Sequence, residues 1–247
     1  MILFVFEGTV AEPTIFESIK HLYLNNEDVR VVRYGSDLPT LYKNLKNTGY
    51  DLFRVLPLEE NQIEIPAGQR LDTLFSQVFL FFDYDFQNRM CTNRLDTILE
   101  EDMLNYFNDE TNNGKLYINY PMVESLKYTK ELPDADYFKY VVTREDCIQH
   151  KFKRNAETFA YPQARGYRFI NIERTPIEDV KRNWEMLKYQ NVSKANYICN
   201  GNNTIPAKKE DIAQNKLFAT MKQKYVDINQ TAAILNSFPI FLFEYLK

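Results

Sequence analysis

The sequence is poor in glycine, histidine and cysteine. Its seven glycines are scattered over 247 residues, and no GxGxxG or GxxxxGK[ST] occurs, so nothing supports a loop that cradles nucleotide phosphates. The histidines are two, His21 and His150, and the cysteines three, Cys91, Cys147 and Cys199. Without a CxxC or a Cys/His cluster, a structural zinc site lacks donors. Without a nucleophile motif, Ser/His/Asp and Cys/His hydrolase chemistry has no support either. An odd number of separated cysteines suits a reducing compartment. Long apolar runs are also missing. No stretch reaches the length of a membrane span, and residues 2–6 are too few for a signal-peptide core and lack a basic flank. A soluble, cytoplasmic protein with no membrane partner is expected. Excess positive charge is absent as well: the formal net charge is −4. That argues against a broad, sequence-blind grip on nucleic acid, but leaves room for a local patch and for contact through metal ions.

Hydrophobic residues make up 45% of the chain and aromatics 15%, enough for a substantial core. The segment Val78-Phe79-Leu80-Phe81-Phe82-Asp83-Tyr84-Asp85 organises the reading. Its apolar run predicts a central strand buried on both faces, carrying Asp83 and Asp85 to the carboxyl end, where open α/β sheets bind ligands. In extended chain, residues two apart point to the same side. Two buried anions so placed repel, and a hard cation such as Mg²⁺ relieves the conflict. The alternative is a strand-end turn with two solvated acids.

Further strands are expected at residues 2–6, 29–34 and 116–119. Pro13 is placed to open a helix that carries Ile15, Phe16, Ile19, Leu22 and Tyr23 on one face, and a second helix spans 38–46. This strand–helix–strand–helix order is that of a parallel sheet. Residues 50–68 read as a connection, followed by a short helix near 69–77. An amphipathic helix is expected over 95–107, and Pro121 is expected to open a helix that holds Glu124 and Lys127. After Pro133 helical segments follow near 144–158, 176–190, 207–223 and 228–246, with loops at 161–171 and 200–204. The expected fold class is thus α/β: a parallel sheet flanked by helices over residues 1–130, then a mostly helical C-terminal region over 131–247. Residues 232–243 are apolar on nearly all sides, so they are buried within the monomer or against a second copy of the chain, which leaves a homo-oligomer open.

Glu7 ends the first strand, Glu12 opens the first helix, and Glu124 follows the fourth strand near a helix N-terminus, where a carboxylate is favoured. In a parallel sheet these acids share one edge with Asp83 and Asp85. Crowding of that kind fits one or two divalent metal ions.

The pieces resemble a known family. Phe4-Val5-Phe6-Glu7-Gly8-Thr9-Val10-Ala11-Glu12-Pro13 resembles the opening motif of TOPRIM domains of the RloB and OLD-nuclease type. Phe82-Asp83-Tyr84-Asp85 is similar to the family's Asp-x-Asp, and Asn119-Tyr120-Pro121-Met122-Val123-Glu124 to its Asn-Pro-x-x-Glu segment with one residue inserted. The likeness covers roughly residues 1–130. It implies a TOPRIM-like sheet and Mg²⁺- or Mn²⁺-dependent cleavage of a nucleic-acid phosphodiester, in DNA or in RNA such as tRNA. Glu7 would act as general acid/base or ligand, Asp83 and Asp85 would hold the metal, and Glu12 and Glu124 would help position a second ion. The family's lysine has no motif here to fix it. Lys127, Lys130 and Lys151 are the candidates, and Lys127 is assigned the catalytic role with Glu7, Asp83 and Asp85. The resemblance also implies bacterial anti-phage defence beside a separate ATPase, since this chain has no Walker motif. The other reading is a non-catalytic TOPRIM-like module that docks to such an ATPase.

The basic segments have two readings each. His150-Lys151-Phe152-Lys153-Arg154 and Arg165-Gly166-Tyr167-Arg168 could contact phosphates and stack on bases, or form solvated faces with a buried aromatic. Trp184 is expected in the core, and His21 on a helix with no catalytic role.

Overall fold

A computed structural model describes residues 1–66, 70–87, 96–159 and 161–246. Five strands form one sheet: β1 (Ile2–Phe6), β2 (Val29–Arg33), β3 (Gln77–Asp83), β4 (Asn108–Asp109) and β5 (Gly114–Asn119), in the order β2-β1-β3-β5-β4. The first four in that order run parallel, and the two-residue β4 pairs antiparallel with β5 at the edge. The sequence explains the order. All of β1 is buried, as is the apolar run of β3, as expected for inner strands of a sheet covered on both faces. In β2, Arg30 and Arg33 are exposed, which suits an edge that must resist pairing with other chains.

Helix α1 (Ala11–Tyr23) joins β1 to β2, and α2 (Leu38–Asn47) follows β2. Asp37 caps α2 by accepting from the Thr40 N–H at 3.0 Å, which satisfies a backbone donor the helix leaves free. The C-terminal part holds α3 (Arg144–Ile148), α4 (Lys151–Phe159), α5 (Ile177–Asn200), α6 (Gln214–Met221) and α7 (Ser237–Tyr245). The chain is therefore α/β, with a mostly parallel sheet, flanking helices and a helical C-terminal part. Among the described residues, no helix is long and apolar enough to cross a membrane.

The two parts share one hydrophobic core. On one sheet face the Phe81 ring stacks on Phe238 of α7 at 4.5 Å and on Tyr117 at 5.1 Å. Phe241 meets Phe4 and Phe79 edge-on. The apolar segment 232–243 is thus buried within the monomer, against the sheet. Trp184 on α5 is fully buried and donates its Nε1–H to Ser18 Oγ on α1 at 2.9 Å, so the long helix is fastened to the first one.

Several elements depart from the sequence reading. The helix expected near 69–77 shrinks to Leu71–Leu74, because β3 already begins at Gln77. Of the helix expected over 95–107, Leu95 lies outside the described residues, as does Cys91, and Ile98–Met103 is wound as a π-helix. Pro121 is followed by a short 3₁₀ turn, Val123–Lys127, rather than an α-helix. The 144–158 segment breaks at Gln149-His150, where His150 takes a left-handed backbone (φ 54°). α5 runs on to Asn200 and stops at Gly201, left-handed at φ 74°, a conformation that favours glycine. The helix expected over 228–246 is instead a strand, β7 (Thr231–Ala233), paired antiparallel with β6 (Val141–Thr143), followed by α7. A left-handed Gln230 ends the preceding turn, and Asn236 restarts the helix by accepting from the Phe238 N–H at 3.1 Å. Pro239 then falls in the first helical turn, where a missing N–H costs little.

Because Phe81 carries contacts from β1, β5 and α7, Phe81→Ala should lower unfolding free energy by about 3–5 kcal/mol. The exposed control Ile228→Ala should change it by no more than about 0.5 kcal/mol. Urea denaturation followed by circular dichroism reads both.

Candidate metal centre

The carboxyl ends of β1, β3 and β5 lie on one edge, and Asp83 pairs in register with Asn119. A cavity of about 440 Å³ opens there, and Glu7, Glu12, Asp83, Asp85 and Glu124 all line it. Five carboxylates from four places in the chain therefore meet at the ligand edge of the sheet.

Local structure sets each of them. Glu7 follows the last residue of β1 and accepts the Asp83 N–H through Oε2 at 2.8 Å. Glu12 folds back from the first turn of α1, and its Oε1 accepts the Gly8 N–H at 3.1 Å. Gly8 is required for that approach, since a Cβ there would sit 2.4 Å from Glu12 Oε2. Asp83 accepts from Asn119 Nδ2 at 3.1 Å. Asn119 is held in turn by the Ser237 N–H and hydroxyl at 3.0 and 2.7 Å, so the start of α7 braces the acidic edge.

Asp85 reaches the cavity by a different route from strand alternation. β3 ends at Asp83, and Asp85 has a left-handed backbone (φ 52°), which Asp tolerates better than most residues. Its Oδ1 accepts from Gln87 Nε2 at 2.8 Å. Its Oδ2 is buried with no hydrogen-bond partner among the described residues.

Lysines divide unexpectedly. Lys127 is buried, forms an ion pair with Glu157, and lies over the Tyr167 ring at 4.7 Å. Among the described residues it does not line the cavity. Lys153 does, pairing with Glu124 at 2.7 Å. The sequence signal for Lys153 was the basic segment 150–154, in which Phe152 turns inward and Lys153 faces the acids. Lys130 and Lys151 form no ion pair among the described residues, and neither lines the cavity. Asp37, the cap of α2, adds its charge to the field felt by Glu7 and Asp85; the sequence reading did not single it out.

Burial dominates the electrostatics. Burial, then the charge of Asp85, pushes Glu7 from an ordinary 4.5 up to about 9. Burial, then the charge of Asp37, pushes Asp85 up to about 6. Asp83 is raised well above the carboxylate range by burial and by Glu7, Glu12 and Glu124. Glu12 is raised chiefly by burial. The hydrogen bond to Glu124 raises Lys153, so that ammonium stays charged. Among the described residues, no three His, Cys, Asp or Glu side chains are drawn together as a ready-made metal-binding group. Among the described residues, the site is a cluster of buried acids, part of them held by backbone and amide donors, with Asp85 Oδ2 and Gln87 Oε1 unpartnered and Lys153 on the wall.

Compared with protein-family models, with curated proteins and with solved structures, the chain matches none at a significant level.

Two outcomes follow from the geometry. Acids whose folded pKa lies above the unfolded value bind protons more tightly when folded, so they lose stability as pH rises between the two values. In chelator, the melting temperature should fall from pH 5 to pH 9, and Glu7→Gln should flatten that fall; a rise over this range would contradict the assignment. Gly8→Ala should leave the fold intact, since only the end of the Glu12 side chain must move, yet displace Glu12. A crystal structure of the variant would show the Gly8 N–H to Glu12 bond lost.

Proposed function

We propose that the acidic edge belongs to a TOPRIM-like, metal-dependent nuclease that hydrolyses nucleic-acid phosphodiesters. The observation that carries this reading is the convergence of Glu7, Glu12, Asp83, Asp85 and Glu124 on one cavity at the carboxyl edge of a parallel sheet. The donors fit Mg²⁺ or Mn²⁺: all are hard oxygens, and the buried Asp85 Oδ2, unpartnered among the described residues, has an unmet need for a positive partner. Asp83 and Asp85 would hold the ion, with Glu12 and Glu124 positioning a second. When bound, such ions stabilise phosphoryl charge and lower the pKa of water.

The chain's own residues supply the rest. Glu7, held by the Asp83 N–H and raised by burial, is suited to keep or deliver a proton near neutral pH. Lys153 takes the charge-compensating role that the sequence reading gave to Lys127, because its ammonium faces the acids. The stretch of chain that carries it is locally basic. Residues 150–168 hold Lys151, Lys153, Arg154, Arg165 and Arg168 against a single acid, Glu157, and all five cations are exposed. In a chain of net charge −4, a basic stretch of this kind, with Lys153 at the cavity, suits an approaching phosphate backbone. By family resemblance, the setting would be bacterial anti-phage defence with a separate ATPase.

A second reading has its own support. Glu124 is already paired with Lys153 and no ready-made metal group exists among the described residues, as in a non-catalytic TOPRIM-like module that docks to an ATPase partner.

Cleavage of plasmid, linear duplex, single strands and total tRNA, with Mg²⁺, Mn²⁺ or EDTA, separates the two. The nuclease reading expects metal-dependent cutting that Asp83→Asn lowers by at least about a hundredfold and Lys127→Met leaves larger than Lys153→Met does. Metal-independent cutting, or equal activity in Asp83→Asn, would refute it. Absence of cutting, with no Mn²⁺ binding by calorimetry, would favour the docking module.

A further inference from the structure

Lys153 reaches the acidic edge from the water side. Its side chain is 68% exposed, yet its ammonium lies 2.7 Å from Oε1 of Glu124, whose side chain is 6% exposed. The hydrogen bond to Glu124 raises the lysine most, and the charges of Glu124, Asp83 and Glu12 raise it further. The ammonium thus stands where the pull of three acids meets, on a stem that lies mostly in solvent.

The acids differ in what already holds them. Asp83 accepts from the Asn119 amide and Asp85 from the Gln87 amide, and among the described residues neither is ion-paired. A divalent ion held by these two acids therefore breaks no ion pair. Glu124 differs, because Lys153 already occupies its Oε1. A divalent ion on the same carboxylate would stand beside the ammonium, and like charges that close repel strongly where water is scarce. Glu124 is also buried, and a buried anion stripped of its only partner is costly. Lys153 can leave at little cost only as another cation arrives.

We infer that Lys153 is a tethered counter-ion that Glu124 exchanges for a second divalent ion. Asp83 and Asp85 take the first ion with the Lys153–Glu124 pair intact. Lys153 then yields Glu124 to the second ion and turns its ammonium outward, toward a phosphate of the substrate. This exchange rests on the metal-dependent reading of the acidic edge and gives that reading an order of events. A tethered competitor acts at high effective concentration, so Lys153 weakens the second binding event and spares the first.

Calorimetric titration of Mn²⁺ into the full chain tests the exchange, using the natural chain, Lys153→Met, Lys153→Arg and Lys151→Met. Lys151 is exposed on the same helix and does not line the cavity, so its loss removes the same charge without freeing Glu124. The natural chain should show two events. In Lys153→Met the second should be about tenfold tighter, the size of a typical coupling between sites, and the first unchanged. Lys151→Met and Lys153→Arg should resemble the natural chain. Mn²⁺ should also raise the melting temperature of Lys153→Met, measured against chelator, by more than that of the natural chain.

A second event in Lys153→Met no tighter than in the natural chain overturns the exchange. Equal tightening in Lys151→Met overturns it too, since that would be a general effect of lost positive charge. A single event in both the natural chain and Lys153→Met overturns the exchange and leaves the metal reading standing, whereas no event in any chain overturns both. A crystal of the natural chain soaked in Mn²⁺ needs no substitution. Manganese at Glu124 with Lys153 Nζ beyond about 4 Å, the limit of an ion pair, is expected; manganese there with the ammonium still at hydrogen-bond distance overturns the exchange.

Discussion

The governing constraint is the burial of carboxyl groups that also repel one another. Glu7 and Asp83 are held at one cavity by the ends of strands whose apolar residues must stay buried, and Asp85 by the left-handed turn that follows β3. The core therefore fixes where the acids stand, and the acids cannot relax apart without disturbing it. Charge is managed locally. The Asp83 N–H is given to Glu7, the Gly8 N–H to Glu12, the Asn119 amide to Asp83, and Lys153 to Glu124. Backbone and amide donors soften the repulsion without cancelling it, and among the described residues one ammonium, that of Lys153, lines the cavity with the five acids. A cavity in this condition favours protons at low pH and cations at high pH.

The C-terminal part is structurally inseparable from that arrangement. Phe238 and Phe241 of α7 cover the sheet face below the acids, and Ser237 at its start fixes the amide that holds Asp83. α4 contributes the lysine on the cavity wall. The helical region thus supplies both the apolar cover that fixes the strands and the positive charge at the site. Fold stability and site electrostatics are coupled through the same few residues.

The sheet was legible because its signals are local. Uninterrupted apolar runs at 2–6 and 78–82 have only one stable place, between two covered faces, and acids directly after such runs must fall at the strand ends. Glu7 and Asp83 could be placed from that alone. Asp85 reached the cavity for a reason the pattern does not carry, a left-handed turn instead of strand alternation. Lys153 was hidden because a basic helix face looks the same whether it meets solvent or a cluster of acids elsewhere in the chain. Lys127 looked nearer the site in sequence, yet the short 3₁₀ turn after Pro121 directs it to Glu157. The strand at Thr231–Ala233 was missed because its pairing partner lies some ninety residues earlier, at Val141–Thr143, and its two alanines favour helix over strand by local preference.

Anomalous diffraction from crystals soaked in Mn²⁺ addresses the central claim most directly. A peak bounded by Asp83, Asp85 and Glu7, with Asp85 Oδ2 as a ligand and lost in Asp83→Asn, is the expected result. An empty cavity at saturating Mn²⁺, with the Glu124–Lys153 pair and the Glu7 hydrogen bond unchanged, would contradict the account.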